Sequence, residues 1–145
     1  MKLLISWIGA RSSPNKWEAD YLRRIQPFAS VEAIAFQSTD SFFERALRDT
    51  SRTTPLLVLL ESKGRQFTSE QFANWLGTQR DQGRQRIVFA VGPADGWPEE
   101  ARKRADLLLS LGTMTLPHEL ARVVLCEQIY RAFTILSGHP YHTGH

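Results

Sequence analysis

One cysteine, Cys126, stands in the whole chain, which excludes an internal disulfide framework and leads us to expect a reducing, cytoplasmic setting. Long apolar runs are missing as well: none approaches the ~20 residues of a membrane span. The opening stretch Met1-Lys-Leu-Leu-Ile-Ser-Trp-Ile-Gly9 is apolar but short, has no small-residue cleavage site and runs into Arg11, so it reads as a first strand rather than a signal peptide. There is no G-x-S-x-G elbow, no GxGxxG and no GK[ST] phosphate loop, which sets aside the common hydrolase and nucleotide-binding signatures. An acidic excess is absent too. Net charge is +3 with pI ≈ 9.4, and beyond residue 104 only Arg122 and Arg131 remain of the eighteen Lys and Arg. A mildly basic domain suits a nucleic-acid partner or an ordinary solvated surface, and charge alone does not choose between them.

What is present is ordinary globular composition, 42% hydrophobic and 23% charged over 145 residues, enough for one domain with a real core and no linker or repeat. Strand and helix patterns alternate throughout. Lys2 to Ile8, Val31 to Phe36, Leu56 to Leu60, Arg86 to Val91 and Leu107 to Leu111 read as strands. Leu56 to Leu60 is a continuous apolar run of the kind a strand buried on both faces shows. Between them lie helical stretches. Ser12-Ser-Pro14 offers a start for Trp17 to Ile25, Asp40 to Arg48 follows, and Ser51 to Pro55 reads as a turn. Thr68-Ser-Glu-Gln71 fits a capping box with Phe67 and Phe72 as its hydrophobic staple, opening a helix expected to end near Gly77. A short helix begins near Pro98, and a long one spans about Pro117 to Leu136. This alternation predicts an α/β domain with a parallel sheet.

Ligands of such sheets bind beyond the carboxyl ends of strands. Three strand ends stand out: Leu60-Glu-Ser-Lys-Gly64, Gly92-Pro-Ala-Asp-Gly96 and Gly112-Thr-Met-Thr-Leu-Pro117. The glycine loop is either a ligand cradle or a tight strand-to-helix turn. The last helix is apolar nearly all round, so it needs cover on more than one side, a sheet on one and a second subunit on another. It is followed by the dense polar run Ser137-Gly-His-Pro-Tyr-His-Thr-Gly-His145, which adds little to a core and is either disordered or used. His139, His142 and His145 recur every third residue, but one extended tail without a neighbouring Cys or acid is a poor metal set, and no metal is expected. Cys126 reads as core. Arg131 either pairs with Glu127 four residues earlier or contacts a phosphate or substrate.

Leu116-Pro-His-Glu-Leu-Ala-Arg-Val-Val, Glu127-Gln-Ile-Tyr-Arg-Ala-Phe and His139-Pro-Tyr-His142 together resemble the RlmH family, small SPOUT-class methyltransferases that act on pseudouridine in bacterial 23S ribosomal RNA. The resemblance runs the whole length of the chain. It implies a single SPOUT domain over residues 1–145 with a C-terminal deep trefoil knot, a topology that general rules of chain threading would reject. It implies a homodimer whose active sites are completed across the interface, and S-adenosylmethionine held in the knot. The matching cofactor positions are Leu60, Gly92, Leu111, Gly112, Thr113, Met114, Thr115 and Leu116. The implied reaction is methyl transfer to N3 of a pseudouridine in the large subunit or the assembled ribosome, with Tyr141, His142 and Arg131 as the residues that align and deprotonate the nucleobase or meet its phosphate. His118 caps or shapes the cofactor loop.

Two positions depart from the family pattern. Pro93 follows Gly92 where a second glycine is usual, and Thr143 follows Tyr-His where a cation is usual. The second departure leaves His145, Arg23 or Arg24 as replacements. It also favours a rival reading, an RNA- or ribosome-binding factor that keeps the fold without this catalysis. A nucleotide-binding enzyme of another kind would need phosphate chemistry that the glycine loop lacks.

Overall fold

Leu, Ile, Val and Phe dominate the strands at the centre of the domain, and a sheet covered on both faces is what buries such runs. The computed structural model describes residues 1–9, 13–48 and 54–144. In chain order these form β1 (Lys2–Ile8), α1 (Lys16–Ile25), β2 (Ser30–Phe36), α2 (Thr39–Arg45), β3 (Leu56–Gln66), α3 (Ser69–Asp81), β4 (Arg86–Val91), α4 (Glu99–Arg104), β5 (Leu107–Ser110), α5 (His118–Ser137) and a closing 3₁₀ turn over His142–Gly144. The strands make one sheet in the order β2-β1-β4-β3-β5, every pairing parallel. The expected α/β parallel-sheet class is therefore what the chain adopts.

One face of the sheet carries α1, α5 and α3; Ile25, Phe72, Leu76, Leu125, Ile129 and Phe133 pack there on Ile5, Val58, Ile87 and Phe89. The other face carries α2 and α4, where Phe42, Ala101 and Trp97 meet Leu57, Leu59, Val88 and Ala90. Helix α5 lies between α1 and α3, so those neighbours and the sheet cover most of its apolar surface within one chain. Its composition by itself therefore does not require a second subunit. Glu18 of α1 and Arg122 of α5 form a buried ion pair at 2.7 Å, with the guanidinium 4.0 Å from the Trp7 ring.

Several element boundaries differ from the sequence expectation for identifiable reasons. Helix α3 does not stop at Gly77. That glycine sits where a Cβ would come 2.8 Å from Leu136 of α5, so it serves close helix packing, and the stop is at Gly83 with φ +81°. Strand β3 continues past Leu60 through a bulge, because both Leu60 and Arg65 pair with Leu109. Gly64 is needed there, since a Cβ would lie 2.5 Å from the Leu108 carbonyl oxygen. Helix α1 starts at an Asn15 cap rather than at the serines: Asn15 Oδ1 accepts the Glu18 N–H at 2.9 Å and Glu18 Oε1 accepts the Asn15 N–H at 3.1 Å. Ser12 lies outside the described residues. Helix α2 begins at a Ser38 cap and ends at Arg45, short of Arg48. Of the turn expected over Ser51 to Pro55, residues 51–53 lie outside the described residues. Strand β5 ends at Ser110, one residue before Leu111, where the serine side chain turns to bond the loop.

Candidate active site

The ends of β3, β4 and β5 open into a cavity of about 400 Å³ lined by Leu60, Gly92, Leu111, Gly112, Met114, Thr115 and Leu116 among others. Seven of the eight expected cofactor residues thus share one cavity. Thr113 does not line it and is exposed. The walls are held by bonds between loops. The Ser110 hydroxyl lies 3.0 Å from the carbonyls of Ser62 and of Gly112, and accepts the Gly112 N–H at 3.2 Å. Asp106 clamps the entry to β5, its carboxylate accepting the Leu57 N–H at 2.7 Å and its own N–H donating to the Leu57 carbonyl at 2.8 Å.

Trp97, which no sequence signature singled out, joins two of these loops. Its Nε1–H donates to the Leu60 carbonyl at 3.0 Å. Its ring also occupies the space beside Gly92, where a Cβ would fall 2.7 Å from the indole. Gly92 is therefore small to admit Trp97, whereas the sequence suggested close approach to a ligand. Pro93 closes a tight turn by accepting the Gly96 N–H at 2.9 Å, and Gly96 takes φ +87°. Position 93 needs no glycine for that turn.

The second cluster lies at the other end of α5. Gly138, at φ +76°, ends the helix in the left-handed cap that reverses the chain, and the tail folds back onto α5 and α3. There Tyr141, His142 and Arg131 meet. The Arg131 Nε–H donates to Glu127 Oε1 at 2.8 Å, and its NH1 lies 2.9 Å from His142 Nδ1. The other ring nitrogen of His142 is 2.7 Å from Glu70 Oε1. The Tyr141 hydroxyl donates to Glu127 Oε1 at 3.2 Å, and its ring packs edge-on to Tyr130 at 4.7 Å. Burial first, then Tyr21 and the Glu127 carboxylate, push the Tyr141 phenol well above its ordinary value. Hydrogen bonding to His142 holds the Glu70 carboxyl below its ordinary value. Of the two readings of Arg131, the pair with Glu127 is present.

Thr143, where the family pattern has a cation, closes the last turn by donating its hydroxyl to the Pro140 carbonyl at 2.8 Å. Of the expected replacements, Arg24 has its guanidinium 5.6 Å from the Tyr21 ring and 5.8 Å from the Tyr130 ring, and it pairs with Asp20 at 3.1 Å. Arg23 is exposed and pairs with Asp20. His145 lies outside the described residues. His139 accepts the Tyr141 N–H at 3.1 Å, and among the described residues no group of three or more His, Cys, Asp or Glu converges as a metal set. Cys126 is buried in the core, its thiol pushed up to about 12 by burial and the Glu18 charge.

The two clusters stand apart. Ala121 of α5 borders the cavity and Arg131 carries the tail cluster; ten residues at ~1.5 Å each place them about 15 Å apart along the helix. Within one chain, the cavity and the tail do not form a single site.

A family model described as "Predicted SPOUT methyltransferase" matches residues 1–142. The chain belongs to the SPOUT methyltransferase family. Over its full length, and the full length of the relative, it is 49% identical to "Ribosomal RNA large subunit methyltransferase H" of Koribacter versatilis. A protein of the same description from Allorhizobium ampelinum is 50% identical over a stretch covering 68% of this chain and 59% of that one. Among solved structures, a probable methylase family protein from Haemophilus influenzae shares the fold with a TM-score of 0.60 at 14% identity, covering 94% of this chain and 66% of that chain. As a SPOUT methyltransferase the chain is an enzyme whose methyl donor is S-adenosylmethionine. The cavity fits that donor. Leu60, Leu111, Met114 and Leu116 give it apolar walls, backbone groups of three loops give it polar edges, and Glu61 and Asp95 add carboxylates to a lining that would hold a cationic ligand. No helix of the described residues is long and apolar enough to cross a membrane.

Proposed function

We propose that this SPOUT methyltransferase methylates N3 of a pseudouridine in 23S ribosomal RNA of the large subunit, acting in the cytoplasm as a homodimer. The observation that carries this reading is the 49% identity to a large-subunit ribosomal RNA methyltransferase across the whole of both chains. Bound S-adenosylmethionine supplies an electrophilic methyl group, which the N3 electron pair takes while the C–S pair leaves with sulfur. Leu60, Leu111 and Leu116 would flank the adenine, and the backbone of Gly92, Gly112, Thr113, Met114 and Thr115 would meet its polar edge. On this reading, the path from β5 through Gly112 into α5 is the threaded segment of a deep trefoil knot.

N3 of the nucleobase carries a proton, so the protein must align the base and remove that proton. His142 accepts it. Tyr141, kept protonated by its surroundings, offers a ring face and a hydrogen-bond donor rather than a base. Arg131 meets the ionised nucleobase or an adjacent phosphate, and Arg24 stands in for the cation missing at position 143. The separation of about 15 Å along α5 supports assembly of each site from two subunits, the tail of one serving the cavity of the other. Trp17, Leu120 and Phe28, 68%, 46% and 37% exposed on α1, on α5 and just after α1, are large apolar side chains that such a contact would cover. A domain this small presents little surface for reading RNA alone, so a preformed surface in the large subunit or the assembled ribosome is the proposed substrate.

The test is transfer of a radiolabelled methyl group to ribosomes lacking the modification, with the site mapped by mass spectrometry. Incorporation at N3 of a pseudouridine is the expected result. Cofactor binding without incorporation would instead favour an RNA- or ribosome-binding factor, and failure to bind S-adenosylmethionine would overturn the reading altogether.

A further inference from the structure

His142 has no unoccupied nitrogen. A guanidinium only donates hydrogen bonds, so the 2.9 Å contact from Arg131 NH1 makes His142 Nδ1 an acceptor. The ring proton then sits on Nε2, which lies 2.7 Å from Glu70 Oε1. That is a neutral imidazole in one tautomer, backed by a carboxylate and capped by an arginine. A base in this state cannot take a proton until something removes the cap.

We propose that Glu70 is a positioning residue for His142, and that Arg131 blocks the imidazole until an ionising nucleobase draws the guanidinium away. This deepens the function proposed above and rests on it. As negative charge develops on the substrate, Arg131 NH1 turns toward it and exposes the Nδ1 electron pair. The N3–H bond breaks, an Nδ1–H bond forms, and the base electron pair stays on N3 for the methyl group. His142 is then an imidazolium whose Nε2–H still faces Glu70, while Arg131 faces the nucleobase anion. Substrate binding and base activation thereby become one event. A carboxylate behind a histidine serves other acid–base sites in the same manner, fixing the tautomer and stabilising the cation.

The charged and titratable groups around the ring come from three elements. Glu70 belongs to α3, Arg131 and Glu127 to α5, and Tyr141 to the tail. The lowered Glu70 pKa agrees with a carboxylate committed to this contact. Glu70 also lies in the first turn of α3, where any acid favours a helix N-terminus, so activity alone does not separate the two roles.

The experiment uses the full chain, with Glu70→Ala and Glu70→Gln, and reads three quantities: methyl transfer to the ribosomal substrate, S-adenosylmethionine affinity, and the imidazole 15N shifts of His142. In the native protein the shifts should report the Nε2–H tautomer. For Glu70→Ala we expect mixed tautomers and a fall in kcat on the order of ten- to a hundredfold, within the range of a positioned acid–base group, with cofactor affinity unchanged. Glu70→Gln retains an acceptor but no charge, so it should keep the native 15N pattern and still lose kcat. Native kcat in Glu70→Ala, or an unchanged His142 pattern there, overturns the proposal. A native protein that binds cofactor but methylates no ribosomal RNA overturns the functional reading and the proton role together, and the 15N pattern then decides the positioning role alone.

Discussion

The indole of Trp97 fills the space a side chain at residue 92 would take, while its Nε1–H satisfies the Leu60 carbonyl. Replacing it with phenylalanine removes the pyrrole ring that packs beside Gly92 and leaves that part-buried carbonyl without its partner, a loss of about 1–3 kcal/mol. Trp97→Phe should lower the melting temperature and weaken S-adenosylmethionine binding in calorimetry, while Trp17→Phe, on the exposed surface, should leave cofactor binding alone. Tyr141 gives a pH signature. Its phenol is raised above the ordinary value near 10, so it remains protonated where a free tyrosine ionises. The stability this contributes is complete below pH 10 and is lost as pH climbs toward the raised value. Ultraviolet titration of the native chain, less that of Tyr141→Phe, should show one tyrosine that resists ionisation. At this scale a dense motif points to Tyr141 and His142, and the fold brings both beside Arg131. Trp97 and Glu70 were overlooked because their roles depend on partners 37 and 72 residues away.

Local chemistry wrote the start of α3 clearly, though not those of α1 and α2, whose caps are Asn15 and Ser38. The Thr68 hydroxyl accepts the Gln71 N–H at 3.1 Å and Gln71 returns a carboxamide oxygen to the Thr68 N–H at 2.9 Å, the capping box read from four letters. Thr68→Ala should cost about 1 kcal/mol, measurable as a shift in denaturant midpoint at constant slope. Helix ends were less legible. Gly77 looks like a stop, yet α3 passes through it because Leu136 of another helix needs the room; no window of local sequence contains that fact. The α1–α5 contact was hidden for the same reason. Glu18 is fully buried against Arg122, and removing one partner of a buried pair leaves an uncompensated charge, which costs roughly 3–5 kcal/mol. Glu18→Ala should therefore destabilise far more than Asp20→Ala on the exposed side of the same helix, as thermal or chemical denaturation would show.

For the whole molecule, alternating strands and helices announced a parallel sheet, but the order β2-β1-β4-β3-β5 did not follow from any local pattern. Nor did the distance between cavity and tail, since both sit on or beside one helix in the sequence. If two subunits share each site, a chain damaged only in its tail (Tyr141→Phe with His142→Ala) and a chain damaged only in its cradle (Gly112→Val) should each be inactive alone. Co-refolded, they should recover a fraction of native methyl transfer through mixed dimers, whereas sites built from single chains would recover none.

The position of α5 has one more consequence. It follows every strand and helix it packs against in the chain, yet it lies in the middle of its layer, with α1 and α3 on either side and Leu125, Ile129 and Phe133 at the core. A nascent chain that has reached β5 holds a sheet with one face still wet and two helices with nothing between them. Folding of this domain thus waits for α5, and a chain arrested before His118 should remain open to proteolysis.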